Sequence, residues 1–262
     1  MMEIQKKYFN DLKNIIEEKS KYNKKLVLLS GGIDSLLLLT LAVELFGKNK
    51  VCALTVNSKD TKDNLFAKKF AEYFNIKHIE KKYDFNYICQ KIVLLPKKLN
   101  VWHTFYYFYI KEALLEEKYS KYDIFWGEGA DGLYGSTMYF IYLGLKDLVK
   151  EGKSEEEAKI ILKKKFYNSN ISANLTFLFK ELIEPKNNFI MPYKDERLKY
   201  ILDIPNTDDK NFVKEGLKNV YSLPEDIVNV KRIYMQRGLG VYNEIKEFKK
   251  TFKKGNYVYK LF

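Results

Sequence analysis

The chain has 262 residues, is 46% hydrophobic and carries a formal net charge of +12. That length supports one large domain, or a domain with a smaller lobe, and no apolar run approaches the roughly 20 residues of a membrane span. Two cysteines, Cys52 and Cys89, exclude a disulfide framework and a cysteine-rich zinc site. The charged N-terminus lacks the apolar core of a secretory signal, so a reducing cytoplasm is the expected compartment. The basic charge comes from lysines spread along the chain. The only arginines are Arg197, Arg232 and Arg237. Arginine is the residue favoured for bidentate phosphate and base contacts, so nucleic acid is not the expected partner.

Residues 3–19 have the spacing of an amphipathic helix, with Ile4, Tyr8, Leu12, Ile15 and Ile16 on one face. "KLVLL", 25–29, reads as a strand buried on both faces. A glycine turn leads into an apolar helix over 34–46, with Gly47 suited to its C-terminal cap. Strand 51–56 follows, then a helix over 61–74 with Leu65, Phe66, Phe70, Tyr73 and Phe74 expected inward. Strand 76–80, a helix around 85–93, an aromatic helix over 102–118 and strand 122–126 complete the alternation. The order predicts a Rossmann-like α/β fold, a parallel sheet of about five strands with helices on both faces. From about residue 137 a helical C-terminal lobe is expected. Ser154 and Glu157 form a capping box there, and further helices are expected over 171–182, 195–202, 209–220 and 224–235. The domain reading is an N-terminal helix, 1–22, followed by one domain, 23–262.

Two glycine loops follow strands. In the first, Leu29 leads into Ser30-Gly31-Gly32-Ile33-Asp34-Ser35. Glycines let a backbone approach a phosphate, and the first N–H groups of a helix point at an anion. No Gly-Lys-Ser/Thr follows, and G-x-G-x-x-G is absent. Asp34 would repel a phosphate unless a cation such as Mg²⁺ lay between them. A tight turn capped by Asp34 would account for the same residues without a ligand. The second loop, "FWGEGADGLYGS" over 125–136, carries Glu128 and Asp131 among glycines. Asp131 could share a metal with Asp34, and Glu128 could take a proton. Solvated acids on a surface loop are the plain alternative.

The first loop resembles the SGG-x-DS pyrophosphate loop of the N-type ATP pyrophosphatases. Gly127 to Asp131, with Leu133, Tyr134 and Gly135, resemble the G-E-G-A-D-E-L-F-G-G segment of asparagine synthetases. Gly132 and Ser136 depart from it. "MPYKDERL", 191–198, is similar to that family's "PFLDxxL", with Tyr193 and Lys194 in place of Phe and Leu. The resemblance implies ATP and Mg²⁺ as cofactors and adenylation of a carboxylate with release of pyrophosphate. A nitrogen nucleophile would then displace AMP. It implies pyrophosphate and metal at Ser30, Gly31, Gly32, Asp34 and Ser35, with Asp131 sharing the metal. Thr55, Val56 and Asn57 would border the adenine, and Arg232 or its neighbour Lys231 would neutralise the leaving group. Trp102, His103 and Thr104 fall where that family builds its acceptor pocket. The first loop begins 30 residues in, so no glutaminase domain is expected, and nitrogen would come from ammonia or a separate glutaminase subunit. The acceptor would be a small molecule or peptide, with a homodimer compatible. Two alternatives stay open: a related enzyme modifying tRNA or transferring sulfur, and a non-catalytic nucleotide-binding module.

Overall fold

The protein's computed structural model describes residues 1–92, 101–116, 119–135, 144–168, 188–205, 207, 210–229 and 240–247. Helix α1 (Met2–Lys19) leads to β1 (Lys24–Leu28), α2 (Ile33–Phe46) and β2 (Val51–Asn57). Then come α3 (Lys62–Tyr73), β3 (Lys77–Lys82), α4 (Phe85–Ile92), α5 (Val101–Glu116), β4 (Tyr122–Phe125) and the short α6 (Ala130–Tyr134). Beyond it lie α7 (Leu145–Lys150), α8 (Glu155–Tyr167), β5 (Asn188–Ile190), 3₁₀ turns at Pro192–Lys194 and Glu196–Asp203, α9 (Asn211–Tyr221) and α10 (Glu225–Val228). A last helical stretch covers 242–247.

The five strands form one sheet in the order β3-β2-β1-β4-β5, and each neighbouring pair is parallel. Period-two alternation divides the strand side chains between two cores. Val27, Val51, Ala53, Phe125 and Ile190 pack with α1, α2, α3 and α9 on one face. Leu26, Leu28, Cys52, Leu54 and Ile124 pack with α4, α5, Val241 and Ile245 on the other. Burial on both faces explains why these strands read as continuous apolar runs.

The four expected strands lie within two residues of the observed ones, and the Gly47 cap, whose N–H donates to the Val43 carbonyl at 2.9 Å, and the Ser154–Glu157 capping box are present. Two expectations are corrected. Leu65 and Tyr73 are 67% and 44% exposed, because α3 turns Asn64, Ala67 and Ala71 to the core along with the expected Phe70. The helix expected over 195–202 is a 3₁₀ helix over 196–203. The fifth strand comes from residues 188–190, within the stretch expected to be helical. The helix expected over 171–182 and the end of that over 224–235 lie outside the described residues.

At the N-terminal ends of the strands Asp123 is fully buried. It accepts hydrogen bonds from Lys25 Nζ at 2.5 Å, Asn188 Nδ2 at 2.5 Å and the backbone N–H groups of Lys21 and Tyr22 at 3.0 and 3.1 Å. Burial alone would raise its pKa, but these donors outweigh it and hold the carboxyl below its usual range. This cluster ties three adjacent strands together at the end of the sheet opposite the glycine loops.

Candidate active site

From β1 the chain winds outward through β2 to β3, then crosses to β4 and β5. The direction reverses between β1 and β4, and ligands of open α/β sheets bind outside the carboxyl ends of the strands at such a switch point. Both glycine loops leave strands there. β1 and β4 pair directly, with Val27 opposite Phe125, so the loops stand side by side. A Cβ on Gly127 would lie 3.5 Å from Asp34 Cβ.

The first loop is folded by its own serines. Ser35 is buried. Its hydroxyl accepts from the Ser30 N–H at 3.2 Å and donates to the Gly32 carbonyl at 2.9 Å. Ser30 Oγ, on an exposed residue, is 3.2 Å from Ser35 Oγ. Gly31 has φ +76°, and a Cβ there would lie 2.1 Å from the Asp63 carbonyl oxygen, so only glycine fits. Ile33, Asp34 and Ser35 form the first turn of α2, ahead of its first intrahelical bond, Leu36 N–H to Gly32 O at 3.0 Å, and the N–H groups of a first turn lie at the positive end of a helix.

Asp34 and Asp131 converge on one cation that the sequence did not single out. Lys210 Nζ bonds to Asp34 Oδ2 and lies 2.8 Å from Asp131 Oδ1. Lys210 is 2% exposed and has left-handed backbone, φ +63°, at the start of α9. Such a conformation costs a lysine about 1 kcal/mol or more, so the surroundings impose it. They are visible. Buried Lys163 donates to Ile201 O at 3.4 Å, Ile204 O at 2.5 Å and Thr207 Oγ1 at 3.0 Å. Thr207 donates to Tyr134 O at 3.0 Å, and Lys210 N to Thr207 O at 3.3 Å. The segment carrying Lys210 is thereby tied to α6. Behind the site, Tyr193 donates to the Asp34 carbonyl at 2.8 Å, and the hydroxyls of Tyr8 and Tyr134 share a hydrogen bond. All three tyrosines are fully buried.

Glu128 is half-buried beside α5 and the 3₁₀ turn Pro192–Lys194. Burial pushes its carboxyl pKa up; Lys194 opposes the rise and Asp131 adds to it. The hydroxyls of Tyr106 and Tyr107 feel the same carboxylate, and burial together with that charge raises both. Their rings lie 6.0 and 5.0 Å from Trp126, forming an aromatic wall. Gly129 has φ +96°, and a Cβ there would meet Lys194 Cγ at 2.8 Å.

At the end of β2 the Thr55 hydroxyl is already engaged. It donates to Leu29 O at 2.7 Å and accepts from His78 Nε2 at 2.8 Å. Val56 is half-buried. Asn57 is fully buried, and neither end of its carboxamide has a hydrogen-bond partner among the described residues. Lys231 and Arg232 lie outside the described residues, as do the side chains of Trp102, His103 and Thr104.

The oxygen donors fit Mg²⁺, which takes one or two carboxylates and completes its shell with phosphate and water. Among the described residues no group of three or more acids, histidines or cysteines could form an all-protein cage, and Asp34 with Asp131 would be the pair to hold it. Cys52 and Cys89 do not serve such a site. Burial pushes both thiols up to about 11, and Cys52 Sγ contacts Lys25 O at 3.4 Å.

The SGGIDS turn thus stands at the switch point of a parallel sheet. One family model bears on the first third of the chain. The family model described as NAD synthase matches residues 4–93, which include the first loop and strands β1, β2 and β3. Among solved structures the chain is similar to an NH3-dependent NAD synthetase from Campylobacter jejuni at 18% identity and TM-score 0.40, covering 85% of this chain and 97% of that one. That superposition is too loose to carry any detail of the site. No curated protein matches the chain. Among the described residues no helix is long and apolar enough to cross a membrane.

Proposed function

We propose that the protein is an AMP-forming carbon–nitrogen ligase that uses ATP to activate a carboxylate. The observation that carries the reading is the convergence of Asp34 and Asp131, from two loops at the switch point, on Lys210. In this reading the first-turn N–H groups of α2 and the hydroxyl of Ser30 hold the β- and γ-phosphates, with Gly31 and Gly32 admitting them. Mg²⁺, held by Asp34 and Asp131, would supply charge neutralisation of the phosphates. Lys210 shifts from the carboxylates to the pyrophosphate as negative charge builds on it. The half-buried Val56 borders the adenine, while Thr55 and the buried Asn57 hold the strand end.

The acceptor carboxylate oxygen attacks the α-phosphorus, and the bond to the β-phosphate oxygen breaks, releasing pyrophosphate. Ammonia then attacks the activated carbonyl carbon. AMP departs with the electron pair of the carbon–oxygen bond, and Glu128 takes the proton the nitrogen sheds. The raised carboxyl of Glu128 suits that role, since a base works best with a pKa nearer the working pH.

Two acceptors divide the support. The match over 4–93 favours a carboxylate of the kind an NAD synthase amidates, whereas "GEGADGLYG" favours an amino-acid acceptor of the asparagine synthetase type. Sulfur transfer is disfavoured, because neither cysteine is poised as a thiolate. The experiment is release of pyrophosphate and AMP from ATP with ammonia and a panel of carboxylic acids that includes both classes. AMP formed in step with amide supports the reading. Absence of AMP with every acid, or full activity in Asp34→Asn, overturns it.

A further inference from the structure

Lys194 stands where the resembling motif has leucine, and the chemistry above makes no use of it. Its position is tightly specified. The aliphatic stem crosses Gly129 so closely that a side chain there would strike Lys194 Cγ at 2.8 Å and the Tyr193 carbonyl carbon at 3.4 Å. Pro192 and Tyr193 beside it are buried, and Tyr193 is anchored on Asp34. Lys194 is half-buried, and Glu128 is the charge that acts on its ammonium. Among the described residues it makes no ion pair within 4 Å. Taking a cation partly out of water without a direct partner is costly. Lys210 differs, since two carboxylates saturate it.

The charge balance of the site gives Lys194 a use. Asp34 and Asp131 share Lys210, which leaves Glu128 as the carboxylate that an anionic acceptor would meet, and Lys194 is the cation that acts on it. The reacting carboxylate loses its charge on adenylation. A lysine that holds the acceptor through both steps must grip a group that is not consumed.

We propose, building on the ligase reading, that Lys194 is the specificity residue of the acceptor pocket and reads a second anionic group, carboxylate or phosphate, on the acceptor. Gly129 admits its stem, and Tyr106 and Tyr107 lie near the same carboxylate, Glu128. Burial lowers the pKa of the amine and Glu128 opposes that, which makes its acylation a usable probe.

The test is trace labelling of the full chain with acetic anhydride, read lysine by lysine by mass spectrometry. The probes are succinate, glutarate and 3-phosphonopropionate, with succinamide at matched ionic strength as the neutral control. Exposed Lys50, before β2 at the opposite end of the sheet, is the internal reference. We expect at least one anionic probe to slow labelling of Lys194 fivefold or more, with Lys50 unchanged and succinamide without effect. Whether the carboxylate or the phosphonate protects better tells which anion is read. No protection by any anion, or equal protection of Lys50, overturns the proposal. With an acid that supports AMP formation, Lys194→Met should raise KM tenfold or more with kcat little changed, and Lys194→Arg should restore most of the loss. Equal loss of kcat in both variants would mark a structural role and overturn the proposal. Protection of Lys194 without AMP formation defeats the ligase reading alone. AMP formation without protection defeats the anion site alone.

Discussion

Lys210 Nζ lies 2.8 Å from Asp131 and also bonds to Asp34, so one ammonium holds together two loops that leave neighbouring strands. Two carboxylates brought together without it would repel, and each would seek a proton or a metal. Lys210→Met should therefore create a site for free Mg²⁺. Its Tm should rise by several degrees on adding millimolar Mg²⁺ without ATP, while that of the wild type stays flat. AMP formation should fall by about a hundredfold, the scale of removing one transition-state charge contact. A Mg²⁺ response identical in the two proteins would count against Lys210 as the resident cation.

Gly31 and Gly47 share a left-handed backbone, φ +76° and +79°, but differ in surroundings. A Cβ at Gly47 meets nothing within 4 Å, whereas at Gly31 it collides with the Asp63 backbone. Gly47→Ala should cost only the conformational strain, about 1 kcal/mol. Gly31→Ala should cost clearly more by urea unfolding and should abolish ATP binding measured by calorimetry. Equal costs would mean that the loop moves freely off α3.

Asp123 gives the fold an acid limit. Its carboxyl is held below the usual range in the folded state. The stability it contributes is present above the unfolded carboxyl pKa, about 3.9, and is lost as pH falls through the lower folded value. Asp123→Asn removes one partner of a buried pair and should cost about 3 to 5 kcal/mol at pH 7. The deficit should shrink as pH is lowered through that window. Urea midpoints of both proteins from pH 7 to pH 2 check the convergence.

Glu128 carries the opposite sign. Burial raises its pKa, so folding stability is lost as pH rises from the unfolded value, about 4.3, to the folded one, and is flat beyond. Glu128→Gln should raise Tm at pH 7 while lowering amide formation, with adenylation retained. A variant less stable than wild type at pH 7 and no less active would contradict the assignment.

Much of the sheet was legible because its strands are buried on both faces and its glycines sit at strand ends. The two loops could be read for the same reason, since glycine, serine and carboxylate at a strand-to-helix turn have few other uses. Lys210 could not be read. It is one lysine among many, its left-handed conformation leaves no mark in the sequence, and the contacts that impose it come from Lys163, Thr207 and Tyr134. β5 was missed because "NFI" is three residues long and shows no period. Leu65 and Tyr73 face solvent because the small residues Ala67 and Ala71, with Phe70, set the inner face of α3 and allow its close approach to the sheet.

Asp34 and Lys210 are 176 residues apart. At translation rates of about 5 to 20 residues per second, the first loop leaves the ribosome roughly 10 to 35 s before the lysine that neutralises it. The lysine bridge between the two loops therefore cannot form until residue 210 has been made, so the pairing of the first loop with the second is among the last contacts open to the growing chain.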